Sequence, residues 1–143
     1  MMKQELNETS LVTLRQRFHS FHDSLVHSIH LGLFSRTKPR DMIVTVHAID
    51  GMMQPNAKND RWVNIVFEIQ DLEYFVVKKT ENYDFGLVMT LSIGFFDGNI
   101  YFNFYGADGP STRETFKERP PGSEFIVAGK RCYWWEEPYQ ERV

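Results

Sequence analysis

The chain has 143 residues, a length typical of one domain, and it carries 16 Lys and Arg side chains against 19 Asp and Glu. This slightly acidic balance argues against long-range attraction to nucleic acid or to anionic lipid. No run approaches the roughly 18 apolar residues of a membrane helix, and the N-terminus lacks the apolar stretch of a signal peptide. We therefore expect a cytoplasmic protein with no membrane or nucleic-acid contact, built as a single domain over residues 1–143, with residues 1–8 and 137–143 loose.

The first element predicted along the chain is an amphipathic helix. Its apolar side chains are spaced by three and four residues in turn, as on one helix face: Leu11, Leu14, Phe18, Phe21 and Leu25. Asn7, Thr9 and Ser10 are all residue types that cap the start of a helix. The pattern predicts a helix that is secure to about His19.

Residues 20–30 fit two structures. As a helix they continue the apolar stripe to Leu25, whereas as a strand they alternate between apolar and polar side chains from Leu25 to Leu33. We place the change from helix to strand near His22-Asp23-Ser24, because Asp and Ser favour turns over helix interiors.

Strands are predicted over residues 42–49, 61–70 and 74–77, which are rich in β-branched and aromatic side chains. A closing hairpin is predicted from residues 124–128 and 131–135, with its turn at Gly129-Lys130. These segments follow one another through short polar connections, which is typical of an antiparallel sheet.

The strongest local signal is a long hairpin over residues 87–106. Asp97-Gly98 is typical of a two-residue type I′ turn, which sets Phe95 opposite Ile100 and Ile93 opposite Phe102. One face of this hairpin is then apolar throughout: Leu87, Met89, Leu91, Ile93, Phe95, Ile100, Phe102 and Phe104. The sequence therefore predicts an α+β fold, in which the N-terminal helix packs on a largely antiparallel, meandering sheet of about six to seven strands. A sheet of this length can curl into a half-barrel, and its strand order stays open.

The polar face of the same hairpin is a candidate binding surface. Tyr101, Asn103 and Tyr105 lie on it, and Trp135 is expected on a later strand, either half-exposed or covered by the C-terminal tail. Tyr and Trp are enriched at protein–protein interfaces, although a solvated outer face would show the same residue types. Both a protein partner and a homodimer through this face or an unpaired edge fit the pattern.

A cluster of histidines offers a metal-binding alternative. If residues 19–30 were helical, His19, Asp23, His27 and His30 would share one stripe and could hold a metal ion or a small ligand, or support catalysis. If a strand begins at Leu25, His27 and His30 point to opposite faces and the site disappears. The spacing matches no known zinc motif, so we predict no cofactor.

Catalytic signatures are otherwise lacking. The single cysteine, Cys132, lies in a predicted strand and is expected to be an inert core thiol. Neither a nucleophile elbow nor a phosphate-binding glycine loop occurs, so we expect no enzymatic activity.

The segment from Phe18 to Leu31, with Phe21-His22-Asp23-Ser24 at its centre, resembles the FHDS/FHDA opening of small bacterial proteins grouped with the immunity proteins of polymorphic-toxin systems. Residues 63–72 look like a later strand of those proteins, and the likeness covers about half of the chain. The resemblance implies a non-catalytic bacterial protein that binds a toxin, with His22 and Asp23 at the junction of the N-terminal segment and the first strand. We take His22 and Asp23 as a second candidate binding patch.

Overall fold

The structure, a computed structural model, describes residues 2–21, 24–32, 40–51, 62–78, 87–88, 91–105 and 124–138. Helix α1 (Glu8–Phe18) is followed by a single 3-10 turn, His19–Phe21. The strands are β1 (Gln4–Glu5), β2 (Ser24–Leu31), β3 (Met42–Ile49), β4 (Trp62–Lys78), β5 (Leu87–Val88), β6 (Ser92–Phe96), β7 (Asn99–Asn103) and β8 (Glu124–Glu137).

Seven strands form one open antiparallel sheet in the order β5-β2-β3-β4-β8-β7-β6, and β1 pairs with β8 beside that path. The predicted α+β class, with a helix packed on an antiparallel sheet, is confirmed. Strands β2, β3 and β4 follow one another as a meander, whereas β8 enters the sheet between β4 and β7.

The two ends of the sheet are close in space although they do not pair. Strands β5 and β6 lie at opposite ends of the strand order, yet only residues 89–91 separate them along the chain. Because an extended residue spans at most about 3.6 Å, Val88 and Ser92 lie within roughly 14 Å of each other. This covalent limit requires the sheet to curl strongly.

Helix α1 begins with the predicted type of cap. The Asn7 side chain accepts a hydrogen bond from the Ser10 N–H at 2.9 Å, and the Ser10 hydroxyl accepts one from the Asn7 N–H at 2.9 Å. The helix ends at His19, which has left-handed backbone angles. The change from helical structure to strand occurs between Phe21 and Ser24, as the sequence predicts, and the helical alternative for residues 20–30 is wrong.

The core lies between α1 and the concave face of the sheet. The Phe21 and Phe67 ring centroids are 5.6 Å apart, and those of Phe67 and Phe102 are also 5.6 Å apart. Leu11, Leu14 and Phe18 are buried against this group, as their spacing predicts. The aromatic rings thus fill the space between helix and sheet.

The type I′ turn and its register are confirmed. Asp97 and Gly98 both have positive φ angles, of 54° and 73°, and β6 pairs with β7 in the predicted register. The predicted hairpin is too long, however, because Leu87 belongs to β5, which pairs with β2 at the other end of the sheet. The side chains of Leu87 and Met89 lie outside the described residues.

The expectation of loose residues 1–8 is corrected by two features. Gln4 and Glu5 pair with Trp134 and Tyr133, and Leu6, only 1% exposed, donates its N–H to Cys132 O at 2.8 Å. Burial of Leu6 fixes this segment to the core. Residues 139–143 lie outside the described residues.

The predicted closing hairpin is wrong, because residues 124–137 form the single strand β8. Gly129 is buried and pairs with both Leu72 and Ile100 inside the sheet. The alternation of buried side chains nevertheless shifts at this point, from Phe125 and Val127 to Cys132 and Trp134. The sequence signal at Gly129-Lys130 therefore marks an irregularity within a strand.

We expect Gly129→Ala to destabilise the protein by about 1–3 kcal/mol, because the added methyl overpacks this site. A Cβ at this position would lie 2.7 Å from the Gln70 carbonyl oxygen and 2.7 Å from Ile69 Cγ2. Gly32→Ala is the matched control, since its Cβ would meet only Asp41 O at 3.7 Å, and its effect should stay within about 0.5 kcal/mol. Urea denaturation measures both, and equal stabilities would contradict the packing assigned to Gly129.

Candidate functional site

The outer face of the sheet is the face turned away from α1. Val44 and Val46 of β3, Ile65 and Phe67 of β4, and Cys132 and Trp134 of β8 are buried in the core. Since successive side chains of a strand point to opposite faces, the residues between them lie on the outer face.

The centre of this face is a group that we name the Trp135 patch: Lys3, Thr45, Val66, Glu68, Tyr133 and Trp135. Thr45, Val66 and Trp135 form one register row across three strands, and Glu68 pairs with Tyr133 in the next row. Val66 is buried between its neighbours, whereas Tyr133 and Trp135 are half-buried.

Two contacts hold the Trp135 side chain in place. Its indole N–H donates a hydrogen bond to Glu137 Oε1 at 3.0 Å, and Lys3 Nζ lies 5.1 Å from the ring centroid. Lys3 Nζ also lies 2.8 Å from Glu68 Oε2, so a single cation joins the aromatic ring to the acidic side chain. Sequence reasoning predicted the half-exposed position of Trp135 as one of two alternatives but missed Lys3 and Glu68, which are 65 residues apart.

The other predicted binding residues are not brought to this patch. Tyr101 lies on the outer face and stacks on Phe96 with ring centroids 4.0 Å apart. Its partner on β8 is Ala128, so seven residues, or roughly 23 Å of strand, separate it from Trp135. His22 and Asp23 lie outside the described residues.

Tyr105 is a correction to the sequence prediction. It does not continue the polar face of β7, because the chain turns at Phe104 and Tyr105 and the Tyr105 ring packs against the core. Asn103 stabilises this turn, since its side-chain oxygen accepts a hydrogen bond from the Tyr105 N–H at 3.0 Å. The Asn103 side chain therefore stabilises this turn.

The histidine cluster does not form as a helical stripe. The His19 side chain packs over Gly51, whereas the exposed His30 lies on β2. Within the described ranges, no group of three or more His, Cys, Asp or Glu side chains could hold a metal ion. Asp23 lies outside these ranges.

A bulge in β2 also changes the expected directions of its histidines. The register between β2 and β3 shifts between Val26 and Ser28, so His27 is an extra residue. The His27 ring stacks on that of His47 with centroids 4.4 Å apart, on the outer face. His30 pairs with Ile43 on the same face, so His27 and His30 do not point to opposite faces.

A second polar cluster joins the end of α1 to two strands. Arg17 Nη2 lies 2.7 Å from Asp50 Oδ2 and 2.8 Å from Glu136 Oε2, and Asp50 is only 6% exposed. The hydrogen bond that Arg17 donates to Asp50 raises the pKa of Arg17, burial opposes this rise, and Glu136 adds to it. Sequence reasoning missed this cluster because its members are 33 and 119 residues apart.

Cys132 is buried and lies in the core, as predicted. Burial raises the pKa of the Cys132 thiol well above its ordinary value, and nearby Glu68 adds to this effect. A thiol in this state is a poor nucleophile.

A cleft of about 350 Å³ lies between β1 and the tip of the β6–β7 hairpin, and Leu6, Phe95, Asn99 and Lys130 are among its lining residues. It occupies the seam where β1 and β7 lie one after the other along the same edge of β8. No helix in the described part of the chain is long and apolar enough to cross a membrane.

Comparison of the chain with protein-family models, with curated proteins and with solved structures finds no match.

Replacing Arg17 should be costly because it leaves the buried Asp50 carboxylate without this cation. We expect Arg17→Met to lower the free energy of unfolding by about 2–3 kcal/mol, somewhat less than for fully buried pairs because Arg17 is partly exposed. Lys130→Met removes an exposed pair with Glu73 and should cost less than about 1 kcal/mol. Urea denaturation at pH 7 measures the free energy of unfolding of both variants. If Arg17→Met lost no more stability than Lys130→Met, the Arg17 ion pairs would not be stabilising.

The contact between Lys3 and Glu68 should depend on pH. The hydrogen bond from Lys3 lowers the pKa of Glu68, assisted by Gln70 and opposed by burial. Its stabilising contribution is therefore present above the ordinary carboxyl pKa and is lost as the pH falls through the lowered pKa of the folded state.

We accordingly expect Lys3→Met to destabilise the protein at pH 7 by less than about 1 kcal/mol, since solvent screens the pair, and to destabilise it less at low pH, where the contribution of Glu68 is lost. The pKa of Glu68 should rise in this variant when it is followed by NMR titration, whereas Lys130→Met should leave it unchanged. An unaltered Glu68 titration in Lys3→Met would show that the contact is not maintained in solution.

Proposed function

We propose that this chain is a non-catalytic bacterial binding protein, similar in role to an immunity protein, that holds a protein partner on the Trp135 patch. The observation that carries the proposal is the Trp135 side chain itself. It is a large, half-buried aromatic ring in the middle of the outer face, held by Lys3 and Glu137 before any partner arrives.

Such a ring is suited to recognition because little conformational freedom remains to be lost on binding. Trp and Tyr are also the residue types most often found at the energetic centre of protein interfaces. Tyr133 stands next to Trp135 on the same face, and the polar residues Thr45 and Glu68 flank them.

The area of this surface is large enough for the centre of a protein interface but not for a whole interface. Five neighbouring strands, from β2 to β1, span about 19 Å, and three register rows on one face span about 13 Å, which gives an area of roughly 250 Å². A standard interface buries about 800 Å² per partner, so the Trp135 patch would form its core and neighbouring segments its rim.

The resemblance of residues 18–31 to immunity proteins supports a toxin as the partner. It implies a junction between an N-terminal segment and a strand at His22-Asp23, and this agrees with the 3-10 turn that ends at Phe21 and the strand that begins at Ser24.

We expect Trp135→Ala to weaken partner binding by at least about 30-fold, the effect of losing a hot-spot side chain. To obtain the complex, the chain is co-expressed with the protein that the neighbouring gene encodes, because an immunity gene usually lies beside its toxin gene. Titration calorimetry on the purified complex gives the affinity. Tyr101→Ala is the matched control, since it removes an aromatic side chain from the same face about 23 Å away along β8.

If Trp135→Ala retained its affinity for the partner and Tyr101→Ala lost it, the interface would instead lie around Tyr101, at the other end of the sheet. A failure of the neighbouring gene product to bind the unaltered chain would remove the support for an immunity role. Circular dichroism melting of each variant checks that the domain remains folded.

A further inference from the structure

The second half of β4 has one side on which no strand of the described residues pairs with it. Strand β3 pairs with β4 only as far as Ile69, and the Leu72 N–H donates to Arg40 O at 2.9 Å just beyond it. From residue 73 to residue 78, no strand in the described part of the chain pairs with β4 on that side. This segment is therefore a sheet edge, and we name it the β4 edge.

The register of β8 shows which backbone groups point to that edge. The Phe104 N–H donates to Phe125 O at 3.0 Å, so Phe125 turns its backbone groups toward β7. Alternate residues of a strand turn these groups to opposite sides, so Ile126 turns toward β4, where it pairs with Val76.

Val76 consequently turns its N–H and C=O toward β8. Its two neighbours, Phe75 and Val77, turn theirs to the unpaired side. The β4 edge thus presents two N–H and two C=O groups on the side that no strand of the described residues occupies, with a spacing that an added antiparallel strand can use.

The side chains of this edge are also unusually apolar. Val77 is 44% exposed and Tyr74 is 38% exposed, which makes them two of the few exposed large hydrophobic residues in the described segments. Phe75 packs against the rim of the core and is half-buried. A strand that paired here would cover apolar surface as well as satisfy backbone groups.

The end strand β6 makes a useful contrast. There Arg15 Nη2 donates to Ile93 O at 2.8 Å, and Ser20 O accepts the Leu91 N–H at 3.0 Å. Helix α1 thus covers that edge, which is one way in which proteins prevent edge-to-edge pairing. Among the described residues, no comparable contact covers Phe75 and Val77.

We propose that the β4 edge is a dimer interface, at which β4 of a second copy pairs antiparallel about a two-fold axis at Val76. In this register, Phe75 of each copy lies opposite Val77 of the other, so both outward residues of both copies form hydrogen-bonded pairs. The four N–H groups then donate to the four C=O groups across the interface.

Charge favours a second copy in this orientation. Glu73, whose exposed carboxylate lies 3.0 Å from Lys130 Nζ of its own chain, begins the segment and Lys78 ends it. Antiparallel pairing therefore brings the Glu73 end of one copy to the Lys78 end of the other. A parallel arrangement would place like charges together.

The expected dimer is weak. One short strand and a few side chains per copy cover less than the roughly 800 Å² per partner of a standard stable interface. The association should therefore depend on concentration, and it uses an edge that is separate from the Trp135 patch.

Sedimentation velocity on the full-length chain, from about 1 µM to about 1 mM, tests the proposal. We expect a monomer at the low end and a dimer at the high end. Val77→Lys, which adds a charge at an exposed position on the edge, should shift the midpoint of dimerisation upward by at least about tenfold. Val12→Lys is the matched control, since Val12 is 56% exposed on α1, and it should dimerise as the unaltered chain does.

Hydrogen exchange at the two ends of this concentration range supplies an independent readout. The amides of Phe75 and Val77 should gain protection only at high concentration, and only in chains that dimerise. A chain that remains monomeric at about 1 mM overturns the proposal, as does a dimer that survives Val77→Lys with these two amides unprotected. Neither result bears on partner binding at Trp135, so the two proposals fail separately.

Discussion

The long antiparallel ladder between β4 and β8 is the feature on which the rest of the structure depends. Both strands run along the full length of the sheet. On the edge that faces away from β4, β8 pairs first with β7 and then with β1. Residues from the middle and from the end of the chain must therefore pair before the sheet is complete. Such non-local pairing costs loop-closure entropy, which burial of the large side chains on this ladder offsets.

The N-terminal helix closes the concave side of this sheet through a strained connection. His19, Ser20 and Phe21 all have left-handed backbone angles, with φ between 49° and 58°, although none is glycine. Each such residue costs about 1–2 kcal/mol. Burial of Phe21, whose ring lies 5.2 Å from that of Phe18, favours this conformation, and the Arg17 ion pairs tie the same end of α1 to β3 and β8.

The two faces of the sheet consequently have different physical roles. The concave face is filled by closely packed aromatic rings, whereas on the outer face Trp135 contacts Glu137 and Lys3, and Tyr101 stacks on Phe96. The outer face is supported by the core on the other side of the same strands. The β4 edge lies beyond the part of the sheet that β3 covers.

Sequence alone determined the features that depend on neighbouring residues. The Asp97-Gly98 turn needs only two residues that tolerate positive φ, the helix face from Leu11 to Phe18 follows a simple period, and His22-Asp23-Ser24 marks a local change of structure. Each of these signals lies within a few residues of the element that it predicts, so no knowledge of the remaining chain is required.

Only the tertiary structure decided which strands pair and which side chains meet. Gly129-Lys130 has turn residues, yet pairing on both edges of β8 keeps the strand continuous. Lys3 meets Glu68 across 65 residues of sequence, and Arg17 meets Glu136 across 119. Contacts of this kind leave no local pattern, because they follow from strand order, which is set by the combined burial of the whole core.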